Sequence, residues 1–210
     1  LIDLNAQYQQ HKEEIDQAVA RVLSKGQLVM GEEVEAFEEE FARYCQRKFC
    51  VGVSSGSDAI YLTLMARGLG RGCSILTTPF TFIGTVEPIV RAGAKPVFRD
   101  VDIETACIEA EAVLGLPADV LACVPVHLYG RPSTAPKGMT TALMIEDCAQ
   151  AHGVKTTGLA ACYSFYPSKN LGAAGQGGAV VTDDPDLAER LRSLRNHGEE
   201  GERFRHTRWS

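Results

Sequence analysis

No stretch of this chain approaches the roughly 20 consecutive apolar residues that a bilayer-spanning helix needs, and its first residues form no charged-then-apolar leader. A soluble, cytoplasmic protein is expected, with no membrane partner. A basic stripe is also missing. The 21 lysines and arginines are interspersed with 27 acids, and the net charge is −6, which disfavours a nucleic-acid surface that works by releasing counterions. The seven cysteines are odd in number, contain no C-x-x-C pair and mostly lie in apolar runs, so they read as reduced core thiols. Asp147, Cys148 and His152 lie close in sequence, and His127 falls on a neighbouring predicted strand. Without paired zinc-ligand spacing or an H-E-x-x-H helix, no metal site is expected from them. Repeats, low-complexity tracts and Pro-rich linkers are absent too.

What is present suits small-molecule chemistry on an α/β domain. With 210 residues and 45% hydrophobic content, one domain can bury a sizeable core. An amphipathic helix is predicted from about Gln9 to Ser24, with Ile15, Val19, Val22 and Leu23 at helical spacing and Gly26 as its stop. A second helix, from about Glu32 to Cys45, places Val34, Phe37 and Phe41 on one face. Strands are predicted at Phe49–Ser54, Cys73–Thr77, Lys95–Phe98, Val120–His127, Ala142–Glu146, Ala161–Tyr166 and Gly178–Thr182. Helices are expected between the first three, to about Arg67 and about Ala92, and after the last, from about Pro185 to Asn196. Such alternation points to a mainly parallel sheet covered by helices, a three-layer α/β/α arrangement.

In an open sheet of this kind ligands collect outside the carboxyl ends of the strands, and the chemically interesting residues fall at those ends. Ser55-Gly56-Ser57, just before a helix, can offer a phosphate free backbone N–H groups and the positive end of the helix dipole. Small residues there are more often only a cap. Phe82, beyond the second strand, can cover one face of a flat ring, although an aromatic beside a helix start is usually core. Asp147 follows the apolar run Leu143-Met144-Ile145, so a carboxylate stands at the mouth of a buried strand, where it can pair with a protonated ring nitrogen or simply cap a helix. Gln150, three residues on, can reach a phenolic oxygen or face solvent.

Lys169 is the residue on which the reading turns. It lies in Pro167-Ser168-Lys169-Asn170-Leu171-Gly172, directly after an apolar strand and before Gly175, Gly177 and Gly178. A lysine held in a dry cleft can lose its proton and form a Schiff base. Together with Ser164 at the end of the preceding strand, this inventory suits an aldehyde cofactor carrying a ring nitrogen, a phenolic oxygen and a phosphate.

At this point the chain resembles a known family along nearly its whole length: the DegT/DnrJ/EryC1/StrS sugar aminotransferases, which bind pyridoxal 5'-phosphate (PLP) on the aspartate aminotransferase fold. The resemblance is carried in order by Leu4-Asn5-Ala6-Gln7-Tyr8, Gly31-Glu32-Glu33-Val34-Glu35-Ala36-Phe37-Glu38, Ser55-Gly56-Ser57-Asp58-Ala59 and Pro79-Phe80-Thr81-Phe82. It continues with Pro125-Val126-His127-Leu128-Tyr129-Gly130, Glu146-Asp147-Cys148-Ala149-Gln150-Ala151-His152-Gly153, the Lys169 segment and Arg195-Asn196-His197-Gly198.

The resemblance implies that residues 1–210 are the PLP-binding large domain, with an N-terminal helical segment over about 1–30. By the same resemblance the smaller C-terminal domain is expected to be absent from this chain, with further sequence beyond Ser210. It implies that Lys169 forms the Schiff base with PLP, Asp147 pairs with the ring nitrogen, Gln150 contacts the ring oxygen, Gly56, Ser57 and Ser164 hold the phosphate, and Phe82 stacks on the ring. The implied reaction moves an amino group from an amino acid, usually L-glutamate, to a keto-sugar that is usually nucleotide-linked, in a homodimer. The alternative is a non-catalytic relative that keeps PLP or nucleotide-sugar affinity for a regulatory or scaffolding role. Sugar dehydratases of the group carry histidine where this chain has Lys169. Between Gly130 and Glu146, and again between Gly153 and Ser164, the chain is shorter than family members usually are.

Overall fold

The computed structural model describes residues 2–109 and 115–199. Among the described residues seven strands form: β1 (Phe49–Val53), β2 (Ser74–Thr77), β3 (Lys95–Phe98), β4 (Val120–Cys123), β5 (Ile145–Asp147), β6 (Ala160–Ser164) and β7 (Gly178–Thr182). They pair in two sets, β1-β7-β6-β5 and β3-β2-β4. Isolated parallel bridges, Cys123 to Met144 and Val126 to Asp147, join the two sets where β4 meets β5. Only β7 runs against its neighbours, pairing antiparallel with both β1 and β6, while the β5–β6, β2–β3 and β2–β4 pairs are parallel. The sheet is therefore mainly parallel, and the carboxyl ends of β1, β2, β4, β5 and β6 share one edge.

Side chains alternate across a strand with period two, and here the alternation divides the core between two faces. Val51, Ala160, Cys162 and Val180 pack with Ile60 and Leu64 of α3 (Gly56–Ala66), Ile89 of α4 (Ile83–Arg91) and Leu187 and Leu191 of α5 (Pro185–Arg195). Their neighbours Cys50, Ala161, Tyr163, Ala179 and Val181 face Phe41 and Ala42 of α2 (Glu32–Tyr44). Helices thus cover the sheet on both sides. Leu64, Ile75 and Leu191 are fully buried, and each side chain of this size contributes on the order of 1.5–3 kcal/mol by leaving water.

α1 (Leu4–Lys25) begins earlier than its apolar spacing predicts, because the Asp3 side chain accepts a hydrogen bond from the Ala6 N–H at 2.9 Å and caps the helix there. Gly26 ends it in the left-handed region at φ 70°. No residue of α1 is buried. β4 is shorter than predicted, since Pro125 has no N–H for a ladder and the pairing beyond Cys123 shrinks to isolated bridges. β5 differs as well: Thr141–Leu143 turn as a short 3-10 segment, so the strand starts at Ile145 and ends on Asp147.

Candidate active site

The shared edge of the sheet opens into a cavity of about 760 Å³. β1 delivers the Ser55–Ser57 turn, β5 delivers Asp147 and β6 delivers Ser164, each at or just beyond a strand's last residue. Phe82, Gln150 and Lys169 reach the same cavity from loops that follow β2, β5 and β6. All seven residues singled out from the sequence therefore line one space.

The turn into α3 is held by the Ser55 hydroxyl, which accepts the Asp58 N–H at 3.0 Å. Position 56 must lack a side chain, because a Cβ there would stand 2.8 Å from the Ser164 Cβ. Gly178 supports the turn from behind, since a Cβ on it would come within 2.3 Å of the Ser55 carbonyl group. Ser57 faces the start of α4, where a Cβ at Gly84 would meet its Oγ at 2.9 Å. The result is a compact cradle of N–H and hydroxyl groups at the amino end of α3.

Asp147 is 7% exposed, and both carboxylate oxygens are engaged. Oδ1 accepts the Ala149 N–H at 3.0 Å, and Oδ2 accepts the Thr85 hydroxyl at 2.6 Å. Gln150 is oriented just as definitely. The Tyr129 N–H donates to Gln150 Oε1 at 2.9 Å, and because a backbone N–H can meet only an acceptor, the amide nitrogen of Gln150 is the end left to donate. Tyr129 adopts φ 56°, a left-handed conformation that is uncommon for a residue with a side chain and aims its N–H at that oxygen.

Phe82 is not core: it is 71% exposed and precedes the first residue of α4. Lys169 sits in a turn closed by its N–H to the Tyr166 carbonyl at 2.8 Å. The Gly172 that follows packs so near the Pro167 carbonyl that a Cβ would fall 2.2 Å from its oxygen.

His127 and His152 do not line this cavity. His127 Nδ1 accepts the Ser133 N–H at 2.8 Å, so its proton lies on Nε2, which donates to Glu146 at 3.3 Å. Glu146 also accepts the Gly158 N–H at 2.8 Å, on the side of β5 away from Asp147. His152 stands among Phe41, Tyr163 and Phe165, and burial there lowers its pKa below the ordinary value.

The model of the DegT/DnrJ/EryC1/StrS aminotransferase family matches residues 9–209. The chain belongs to this family. A relative from Geobacillus stearothermophilus named "Pleiotropic regulatory protein" is 40% identical over 98% of this chain and 59% of its own length. The dTDP-3-amino-3,4,6-trideoxy-alpha-D-glucose transaminase of Streptomyces venezuelae is 41% identical over 94% of this chain and 55% of its own. Among solved structures, S. venezuelae DesV in complex with a ketimine intermediate superimposes with a TM-score of 0.92 and 38% identity, over 99% of this chain and 59% of that one. The chain therefore spans less than two thirds of the length of these relatives. The likeness in structure agrees with the three-layer, mainly parallel fold expected of this family's large domain.

Several residues that shape this family member's cavity are not among those picked from sequence. Thr81 and Thr85 line it and bond to one another, Gly84 and Gly178 permit its close packing, and Tyr129 orients Gln150. Of these glycines, Gly178 stood in the sequence as a turn former and Gly84 fell inside a predicted helix. Thr85 carried no signal, because a hydroxyl on a helix ordinarily bonds its own backbone.

Proposed function

We propose that this chain carries the cofactor-binding part of a PLP-dependent sugar aminotransferase, with residues 1–210 as its large domain and about 1–30 as a helical extension. The observation that carries the reading is the meeting of Lys169, Asp147, Gln150 and the Ser57–Ser164 cradle in one cavity. The donor set fits PLP group by group, with a carboxylate, an outward amide N–H, a nest of N–H and hydroxyl donors, an exposed aromatic face and an amine. When bound, PLP would supply the electron sink that the protein's own side chains lack.

Each side chain then has a task it can perform as placed. Asp147, fixed through both oxygens, would keep a proton on the ring nitrogen, since a carboxylate beside a cation favours the charged form of both. Gln150 would donate its free amide hydrogen to the phenolic oxygen. Gly56 and Ser57, at the positive end of α3, and the Ser164 hydroxyl would hold the phosphate. Phe82 would cover one face of the ring and exclude water from it. Lys169 would hold PLP through its amine and, whenever that amine is free, Nζ would move a proton at the substrate carbon, as a general base and then as an acid.

The donor we propose is L-glutamate, and the acceptor a nucleotide-linked keto-sugar, in keeping with the sugar named for the S. venezuelae relative. A homodimer is proposed on the exposed apolar residues Leu23, Leu28 and Val29 around an α1 with nothing buried. A cytoplasmic setting fits seven cysteines that are all free thiols. Among the described residues no helix is long and apolar enough to cross a membrane. The test is an absorbance titration of the purified protein with PLP, then with L-glutamate, beside Lys169→Ala. A lysine-dependent band that glutamate discharges supports the reading, and absence of any such band refutes it.

A further inference from the structure

We propose that Thr85 is a positioning residue that locks the Asp147 carboxylate and couples it to the turn bearing Phe82. The inference rests on the PLP reading above, because it assigns Thr85 an effect on cofactor binding exerted through Asp147.

Thr85 is 1% exposed, on α4, and its hydroxyl lies 2.6 Å from Asp147 Oδ2. A carboxylate oxygen can only accept, so the single hydroxyl hydrogen of Thr85 is committed to it. The Thr81 hydroxyl, 2.8 Å from the Thr85 oxygen, must then be the donor in that contact. A directed chain results: Thr81 donates to Thr85, and Thr85 donates to Asp147. With the Ala149 N–H on Oδ1, the carboxylate is pinned by one donor on each oxygen and has no freedom to rotate.

The backbone of the same residue holds the aromatic turn. The Thr85 N–H donates to the Phe82 carbonyl at 3.1 Å, while Thr81 and Thr85 bracket Phe82 in sequence. One residue therefore fixes the acid with its hydroxyl and the ring-covering turn with its amide. A helical threonine usually returns its hydroxyl to its own helix, as Thr63 does to the Ala59 carbonyl at 2.7 Å. Thr85 instead gives it to a carboxylate at the end of β5.

Thr85→Val keeps the shape and the backbone bond and removes the hydroxyl, leaving Asp147 Oδ2 without its donor and the Thr81 hydroxyl without this acceptor. Thr85→Ala also removes the link and carries no γ-carbon, in case valine is not accommodated. Thr85→Ser restores the link. The measurement is the PLP dissociation constant of the full chain, by absorbance titration, for these variants alone and combined with Asp147→Ala, with melting temperatures taken without PLP.

Hydrogen bonds to charged groups of this kind correspond to about tenfold or more in a binding constant. We expect about tenfold weaker PLP binding for Thr85→Val and Thr85→Ala, near-parental binding for Thr85→Ser, and no further loss from Thr85→Val once Asp147 is alanine. Equal PLP affinity in the parent, Thr85→Val and Thr85→Ala overturns the inference alone. So does an undiminished loss in the Asp147→Ala background, which would make the role of Thr85 merely structural. Failure of the parent itself to bind PLP overturns the cofactor reading and the inference with it.

Discussion

Gly56 and Ser164 are packed so closely that a single methyl group on the glycine would stand 2.8 Å from the serine Cβ. This contact joins the amino end of α3 to the carboxyl end of β6 and closes the cradle of N–H and hydroxyl groups.

Gly56→Ala is accordingly expected to push α3 away from β6. Overpacking of this sort costs roughly 1–3 kcal/mol, so the melting temperature should fall, and PLP affinity should fall more than it does for an exposed substitution elsewhere. Thermal melts with and without PLP check both effects.

Gln150→Glu separates the two ends of one side chain. A carboxylate can still accept the Tyr129 N–H, so stability should change by no more than about 0.5 kcal/mol. The donor facing the cavity is lost, and PLP should bind about tenfold more weakly. Denaturant midpoints set beside a PLP titration measure the pair of outcomes.

Phe82 and Phe41 should respond in opposite ways. Phe82 is 71% exposed and Phe41 only 5%. Phe82→Ala is expected to leave stability nearly unchanged while weakening PLP binding by about 1 kcal/mol, the scale of a ring contact. Phe41→Ala removes an aromatic from the core and should destabilise by roughly 3–5 kcal/mol. Urea unfolding of the two variants makes the comparison.

His152 predicts a pH effect on stability. Burial lowers its pKa below 6.5, so on acidification the unfolded chain takes up this proton before the folded one does. Its contribution is therefore nil above about pH 6.5 and becomes destabilising as pH falls toward the folded pKa. His152→Leu should show a shallower loss of stability between pH 7.5 and pH 5 than the parent, read as the shift in urea midpoint.

Much of this fold is legible in local pattern. The Gly178–Thr182 strand falls where the apolar run places it, because it is a short buried segment bounded by turn residues, and the half-exposed Lys95–Phe98 strand is equally well bounded. The start of α1 is less legible, since it depends on a single Asp3 cap rather than on periodicity. β5 shows the same limit: Ala142 to Met144 look like strand in sequence, yet the Met144 N–H turns back to the Thr141 carbonyl at 3.1 Å. At the site, Lys169, Asp147 and the Ser55–Ser57 turn stand out because each polar group follows an apolar strand. Thr85 does not, because its partner Asp147 is 62 residues away in sequence and only the folded sheet brings them together. The exposure of Phe82 was hidden for a similar reason, as an aromatic next to a helix start looks like core.

The most direct test of the account is to add PLP to the purified protein, reduce with borohydride, digest, and locate the added mass by mass spectrometry. The account predicts that PLP is fixed to Lys169, and that Lys169→Ala retains none. Modification spread over surface lysines, or a protein that takes up no PLP, would contradict it.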